Sequence, residues 1–218
     1  MVKIATHIPG FDKLVGGGFI EGTTNLISGN TGTCKSIFSI QFLYNRAFKN
    51  KEKVAYITTE DGYESITIQA EKFGWKLNDS PLKERFKIYK LEPYNINKFV
   101  TMIEEIKRKG IKRLVIDSMS VFEIYVKEPF NMRKNLFNII ELLRHGNMVT
   151  IMTVERPEGY EGLSRSDIVE FMADSVILLQ YIQAAKTKRS LIVRKMRFSP
   201  HSENAHPFRV TNKGLVIG

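Results

Sequence analysis

A single cysteine in 218 residues excludes an internal disulfide and agrees with a reducing compartment, so the expected location is cytoplasmic. No apolar run approaches the roughly 18 residues of a membrane-spanning helix. The opening MVKIATHIPG lacks the apolar core of a signal peptide, and no membrane partner is expected. Low-complexity tracts, internal repeats and long linkers are missing too. One domain over residues 1–218 is the simplest organisation, and the length suffices for one well-buried core. His7, His145 and His206 lack metal-ligand spacing, so no metal is expected except one that arrives with a ligand. Acid is scarce beside base: 23 Asp and Glu against 33 Lys and Arg give a net charge of +10. That balance suits a polyanionic partner, and an ordinary lysine-rich solvated surface accounts for it as well.

What is present is a regular alternation of strand-like and helix-like segments, which predicts an α/β fold with a mostly parallel sheet. Apolar runs at Thr24–Ser28, Val54–Thr58, Phe86–Leu91, Arg113–Asp117 and Met148–Thr153 read as strands. Between them, helical periodicity follows Lys35, covers Glu64–Phe73 with Gly74 as its stop, and recurs at Ile96–Arg108 and Arg133–Arg144. The remainder reads as β hairpins: Ser175–Tyr181 with Ser190–Arg197, then Phe208–Thr211 with Leu215–Ile217.

The most specific signal lies between the first strand and the first long helix. Gly29, Asn30, Thr31, Gly32, Thr33, Cys34, Lys35 and Ser36 match the phosphate-loop pattern G-x-x-x-x-G-K-[ST], with Cys34 in place of the second fixed glycine. In such a loop, backbone N–H groups and a helix N-terminus face anionic oxygens. Lys35 would reach the β- and γ-phosphates and the Ser36 hydroxyl would bind Mg²⁺. A side chain at the glycine position either strains the turn by about 1–3 kcal/mol or is absorbed by relaxation of the loop, and both outcomes stay open.

Acids fall where such a site needs them. Asp117 ends a buried strand, the place of a carboxylate that holds Mg²⁺ through water. Glu60 and Asp61 follow the strand Val54–Thr58 at its carboxyl end, where a base could polarise an attacking water. Singly, each has a bland reading as a helix cap or a solvated turn. In this order behind a phosphate loop, the functional reading is favoured. Trp75, just past Gly74, reads as a packing residue.

Over nearly its whole length the chain resembles KaiC-like ATPases of the RecA/RadA superfamily. The resemblance is carried by Ile8-Pro-Gly-Phe-Asp-Lys-Leu-Val-Gly-Gly-Gly18, the phosphate loop, Tyr56-Ile-Thr-Thr-Glu-Asp61, Phe73-Gly-Trp75 and Leu114-Val-Ile-Asp-Ser118. It continues in Thr153-Val-Glu-Arg156, Lys195-Met-Arg-Phe-Ser-Pro-His201 and Pro207-Phe-Arg-Val-Thr-Asn-Lys-Gly214. The resemblance implies a RecA-like P-loop NTPase core with ATP and Mg²⁺ as ligands. It puts the acidic pair that prepares water on Glu60 and Asp61, the second being shorter than the usual glutamate. It places the Mg²⁺ contacts on Ser36 and Asp117. It also implies homo-oligomers, hexameric rings or filaments, in which Lys195, Arg197 and His201 reach a neighbour's nucleotide. Phe198 stands where the family has glycine.

Two function classes follow. One is a Mg²⁺-dependent ATPase of ring or filament type. The other is a nucleotide-binding regulatory or DNA-associated module of the RadA-paralogue kind, with little hydrolysis because of the altered loop. The loop Glu155–Asp167 occupies the place where RecA relatives touch DNA, but its acids argue against contact there. DNA, or a recombination or signalling protein, remains a partner of the second class. Basic clusters at Lys107–Lys109 with Lys112 and Arg113, and at Lys186 with Lys188 and Arg189, read equally as solvated element ends. One KaiC-like unit is expected, without a doubled arrangement, a C-terminal extension or an N-terminal DNA-binding domain.

Overall fold

The computed structural model describes residues 1–92, 96–125, 128–182 and 189–218. Two short strands, β1 (Lys3–Ile4) and β2 (Phe19–Ile20), pair antiparallel around the turn α1 (Phe11–Leu14). The main sheet comprises β3 (Thr24–Gly29), β4 (Val54–Thr58), β5 (Phe86–Lys90), β6 (Arg113–Asp117), β7 (Val149–Glu155), β8 (Ser175–Tyr181), β9 (Arg189–Met196), β10 (Ala205–Thr211) and β11 (Gly214–Ile217). Their spatial order is β11-β10-β9-β8-β3-β7-β6-β4-β5. Pairs from β8 through β3, β7, β6 and β4 to β5 are parallel, and those from β8 through β9 and β10 to β11 are antiparallel.

The parallel part follows from the sequence: every residue of β3 and β4 is buried, the signature of strands covered on both faces. On one face lies α2 (Lys35–Lys49), which sinks Phe38, Ile40, Phe42 and Leu43 among Ile27, Tyr56 and Val115. The other face carries α5 (Ile96–Arg108) and α7 (Pro129–Arg144), whose Phe99, Ile103, Leu136 and Ile139 cluster with Leu26, Ile57 and Ile116. Shorter helices, α3 (Tyr63–Glu71), α4 (Leu82–Arg85), α6 (Ser120–Tyr125) and α8 (Val169–Met172), fill the connections. The α/β architecture with C-terminal antiparallel strands is therefore the one expected.

Local differences have identifiable causes. Helix α7 starts four residues before the expected Arg133, at Pro129, whose fixed φ suits the first helical position. β7 runs on to Glu155 because Asn30 and the backbone at Gly29 bond Arg156, extending the ladder past its apolar stretch. α3 closes at Glu71, and Gly74 turns the chain with φ 75°. Trp75 is buried, 5.4 Å from the Tyr44 ring and 4.8 Å from that of Phe73, which is the packing role expected of it.

Because the central strands point one way, their carboxyl ends meet at one sheet edge. Gly29 lies opposite Glu155 and Thr58 opposite Asp117. In open α/β sheets that edge is where ligands bind.

Candidate functional site

The loop that leaves β3 has little steric freedom. A Cβ on Gly29 would stand 2.3 Å from the Leu179 carbonyl oxygen, and one on Gly32, at φ 76°, would stand 2.7 Å from the Tyr181 hydroxyl. Thr33 closes the turn by donating its hydroxyl to the Asn30 carbonyl at 2.7 Å. Cys34 takes the left-handed conformation at φ 77°, so the loop keeps the backbone that a glycine would have had. Its thiol lies 3.7 Å from the Gly32 carbonyl oxygen and faces a side hollow with Ile37 and Gln69. Burial pushes that thiol above its ordinary pKa despite Arg189 and Lys35 nearby, so it is no activated nucleophile.

Helix α2 then begins at Lys35 with no side-chain cap and no acid in its first turn. Its first N–H groups are therefore free of side-chain acceptors, the condition under which a helix end attracts an anion. The Lys35 ammonium donates to the carbonyls of Gly29 at 2.7 Å and Asn30 at 3.0 Å. Burial lowers its pKa, while Asp117, Glu155 and Glu60 act in the opposite sense.

Beside the loop is a hollow of about 240 Å³ lined by Thr31, Gly32, Lys35, Ser36, Glu60, Asp117, Ser118 and Glu155. Asp117 accepts hydrogen bonds from the Tyr56 hydroxyl on one oxygen and the Thr153 hydroxyl on the other. Glu60 accepts from Ser118 at 2.8 Å, and Glu155 accepts from Thr31 at 2.7 Å. One ammonium, the hydroxyl-bearing Thr31, Ser36 and Ser118, and three carboxylates thus converge on one concavity. Ser36 and Asp117 form a hard oxygen pair, a donor set that suits Mg²⁺ completed by phosphate and water. Among the described residues, no group of three or more His, Cys, Asp or Glu side chains is arranged to hold a metal alone.

Not every expected residue joins this cluster. The Asp61 carboxylate turns away to accept from Ser65 at 3.1 Å, against the start of α3. Arg197 donates its backbone N–H to the Asp174 carbonyl, and Asp174 in turn donates to the Thr24 carbonyl. Arg197 is thus level with the start of β3, five residues from Gly29, about 16 Å along the strand at ~3.3 Å per residue. Its guanidinium is 3.5 Å from the buried Asp174 carboxylate. The Lys195 ammonium donates to the carbonyls of Glu170, Phe171 and Ala173, at 2.6 Å for the last. His201 adjoins Ser202, whose N–H bonds Leu14. Lys195, Arg197 and His201 therefore lie apart from the loop of their own chain. Phe198 is exposed and left-handed, at φ 65°.

Sequence reasoning missed Glu155, Tyr56, Thr153, Tyr181 and Arg189. Glu155 follows an apolar strand just as Glu60 does, and that was its available signal. Tyr181 and Arg189 both bond the Gly32 carbonyl, at 2.9 and 3.4 Å, and no local pattern reveals that this hairpin meets the loop. In the first basic cluster, Arg113 is buried against Glu52, Lys109 pairs with Glu105, and Lys107 bonds the Leu142 carbonyl. Lys186 and Lys188 lie outside the described residues. In the loop Glu155–Asp167, Arg165 pairs with Glu155 at 2.5 Å and Arg156 bonds the Tyr160 carbonyl. No helix among the described residues is long and apolar enough to cross a membrane.

A family model described as "ATPase: KaiC" matches residues 4–218. The circadian clock oscillator protein KaiC of Parathermosynechococcus lividus is 32% identical over 99% of the chain, and that of Synechococcus elongatus is 31% identical over all of it. The chain spans only 42% and 44% of those relatives' lengths. The crystal structure of a KaiC-like protein from Pyrococcus horikoshii OT3 superposes with a TM-score of 0.89 at 33% identity, covering 100% of this chain and 99% of that one. Phosphate loop, edge carboxylates, strand order and these likenesses agree, and the chain belongs to the KaiC ATPase family.

Proposed function

We propose that the chain binds ATP with Mg²⁺ at the loop Gly29–Ser36 and hydrolyses it. The observation that carries this reading is the convergence of Lys35, Ser36, Glu60 and Asp117 on one hollow at an uncapped helix N-terminus. The loop N–H groups and Lys35 hold the β- and γ-phosphates, and Ser36 and Asp117 hold the cation. When bound, Mg²⁺ would neutralise charge that develops on the transferring phosphoryl group. Glu60 takes the proton of the attacking water, and Ser118 orients its carboxylate. Asp61, turned toward Ser65, has a supporting place at α3 rather than a share in the chemistry. Lys195, Arg197 and His201 act on a neighbouring subunit of a ring or filament, because their own loop is out of reach. DNA is left out of the proposal, since both arginines of the loop Glu155–Asp167 are already engaged within the chain.

A nucleotide-holding module that rarely turns over is the second reading, favoured by the strained Cys34 and the retracted Asp61. Phosphate release measured beside nucleotide binding separates the two. Hydrolysis predicts turnover in wild type and a fall of about 10²–10⁴-fold in Glu60→Gln with nucleotide binding retained, the usual worth of a positioned base. Tight binding without turnover selects the second reading. Turnover indifferent to Glu60→Gln removes Glu60 from the chemistry.

A further inference from the structure

We propose that Tyr56 is a positioning residue that fixes the cation-facing carboxylate of Asp117; this rests on the Mg²⁺-nucleotide reading above. Tyr56 sits in the middle of β4, where every other residue of the strand except Thr58 is aliphatic, and it is 2% exposed. A tyrosine so enclosed must find a partner for its hydroxyl. Strand alternation puts Tyr56 and Thr58 on one face, and Thr58 lies opposite Asp117. The phenol therefore runs along the sheet toward the tip of β6 and donates to one Asp117 oxygen, while Thr153 from β7 donates to the other.

A terminal carboxylate otherwise turns through a broad, roughly two-fold well. Two donors from the two flanking strands fix its plane. The consequence is that the Asp117 carboxylate is oriented before any ligand arrives. Outer partners of metal ligands commonly govern metal affinity in this manner.

The test is calorimetric binding of a non-hydrolysable ATP analogue across a series of Mg²⁺ concentrations and in chelator, for wild type and Tyr56→Phe. The substitution keeps the buried ring and removes only the hydroxyl. We expect the Mg²⁺ concentration giving half of the Mg²⁺-dependent gain to rise roughly tenfold, the lower end for lost outer-sphere contacts. Affinity in chelator should be unchanged. Thr153→Val, which removes the donor on the other oxygen, should raise the midpoint as well. A Tyr56→Phe midpoint equal to wild type, or equal weakening with and without Mg²⁺, would overturn the role of Tyr56 and leave the nucleotide reading standing. A wild type without any Mg²⁺-dependent gain would overturn both.

Discussion

Cys34, at the second glycine position of the phosphate-loop pattern, and Phe198 both hold a left-handed backbone, at φ 77° and 65°. For a residue with a Cβ that conformation costs roughly 1–2 kcal/mol, and glycine gives back about 0.5–1 kcal/mol in chain entropy. Cys34→Gly should therefore stabilise the fold by about 0.5–1 kcal/mol, read as an upward shift of the urea midpoint at constant slope. The strain is already present without ligand, and the thiol faces Ile37 and Gln69 rather than the main hollow. Nucleotide affinity should then change less than about fivefold, the equivalent of 1 kcal/mol. A large gain in affinity with no gain in stability would show instead that the thiol crowds the phosphates. The sequence marked Cys34 as the anomaly because the phosphate-loop pattern is local. It left the direction of the thiol open, since that is decided by how α2 meets α3.

At the scale of elements, the turn between α2 and β4 is held by Glu52, which bonds Arg46 of α2 and Arg113 at the start of β6. Burial pushes the Glu52 carboxyl up, but hydrogen bonds from Arg46 and the charge of Arg113 outweigh it and hold the group below its usual range. A depressed carboxyl contributes stability that is complete above its unfolded value, about 4.3, and is lost as pH falls through its lower folded value. Glu52→Gln strands two buried guanidinium groups. It should cost about 2–3 kcal/mol at neutral pH, somewhat less than a wholly buried pair because Glu52 retains some solvent. Its urea midpoint should also fall less steeply than wild type on acidification below about pH 4. Parallel acid limbs in the two proteins would contradict this linkage. The strands and long helices were legible because β3, β4, β6 and β7 are apolar runs bounded by turn residues. Tyr56, Thr153 and Arg113 were not, since each acquires its role from a segment that is a neighbour only in the folded chain.

For the whole molecule, the phosphate loop and the cations Lys195 and Arg197 lie at different levels of the sheet, so one chain cannot unite them. Arg197 is the better candidate for a trans role: it is 44% exposed and meets Asp174 only at 3.5 Å, whereas Lys195 is committed to three carbonyls. If assembly places Arg197 on a neighbour's nucleotide, Arg197→Ala should lower turnover with binding largely kept. Mixing it with Glu60→Ala subunits should restore part of the activity, because some mixed interfaces join an intact Glu60 to an intact Arg197. Mixtures no more active than the sum of their parts would exclude a shared site. The α/β class and the ligand-binding edge could be read from motif order along the chain. Partnership between copies could not, because nothing in a single sequence says which face meets which.

The central claim is that Lys35, Ser36 and Asp117 make a Mg²⁺-nucleotide site. Calorimetric titration with ATP, with and without Mg²⁺, on wild type and Lys35→Ala tests it most directly. The account predicts saturable binding by wild type, strengthened by Mg²⁺, and none by Lys35→Ala at equal fold stability, since the variant lacks the phosphate-facing charge. Absence of wild-type binding at millimolar nucleotide, or equal binding by Lys35→Ala, would contradict it.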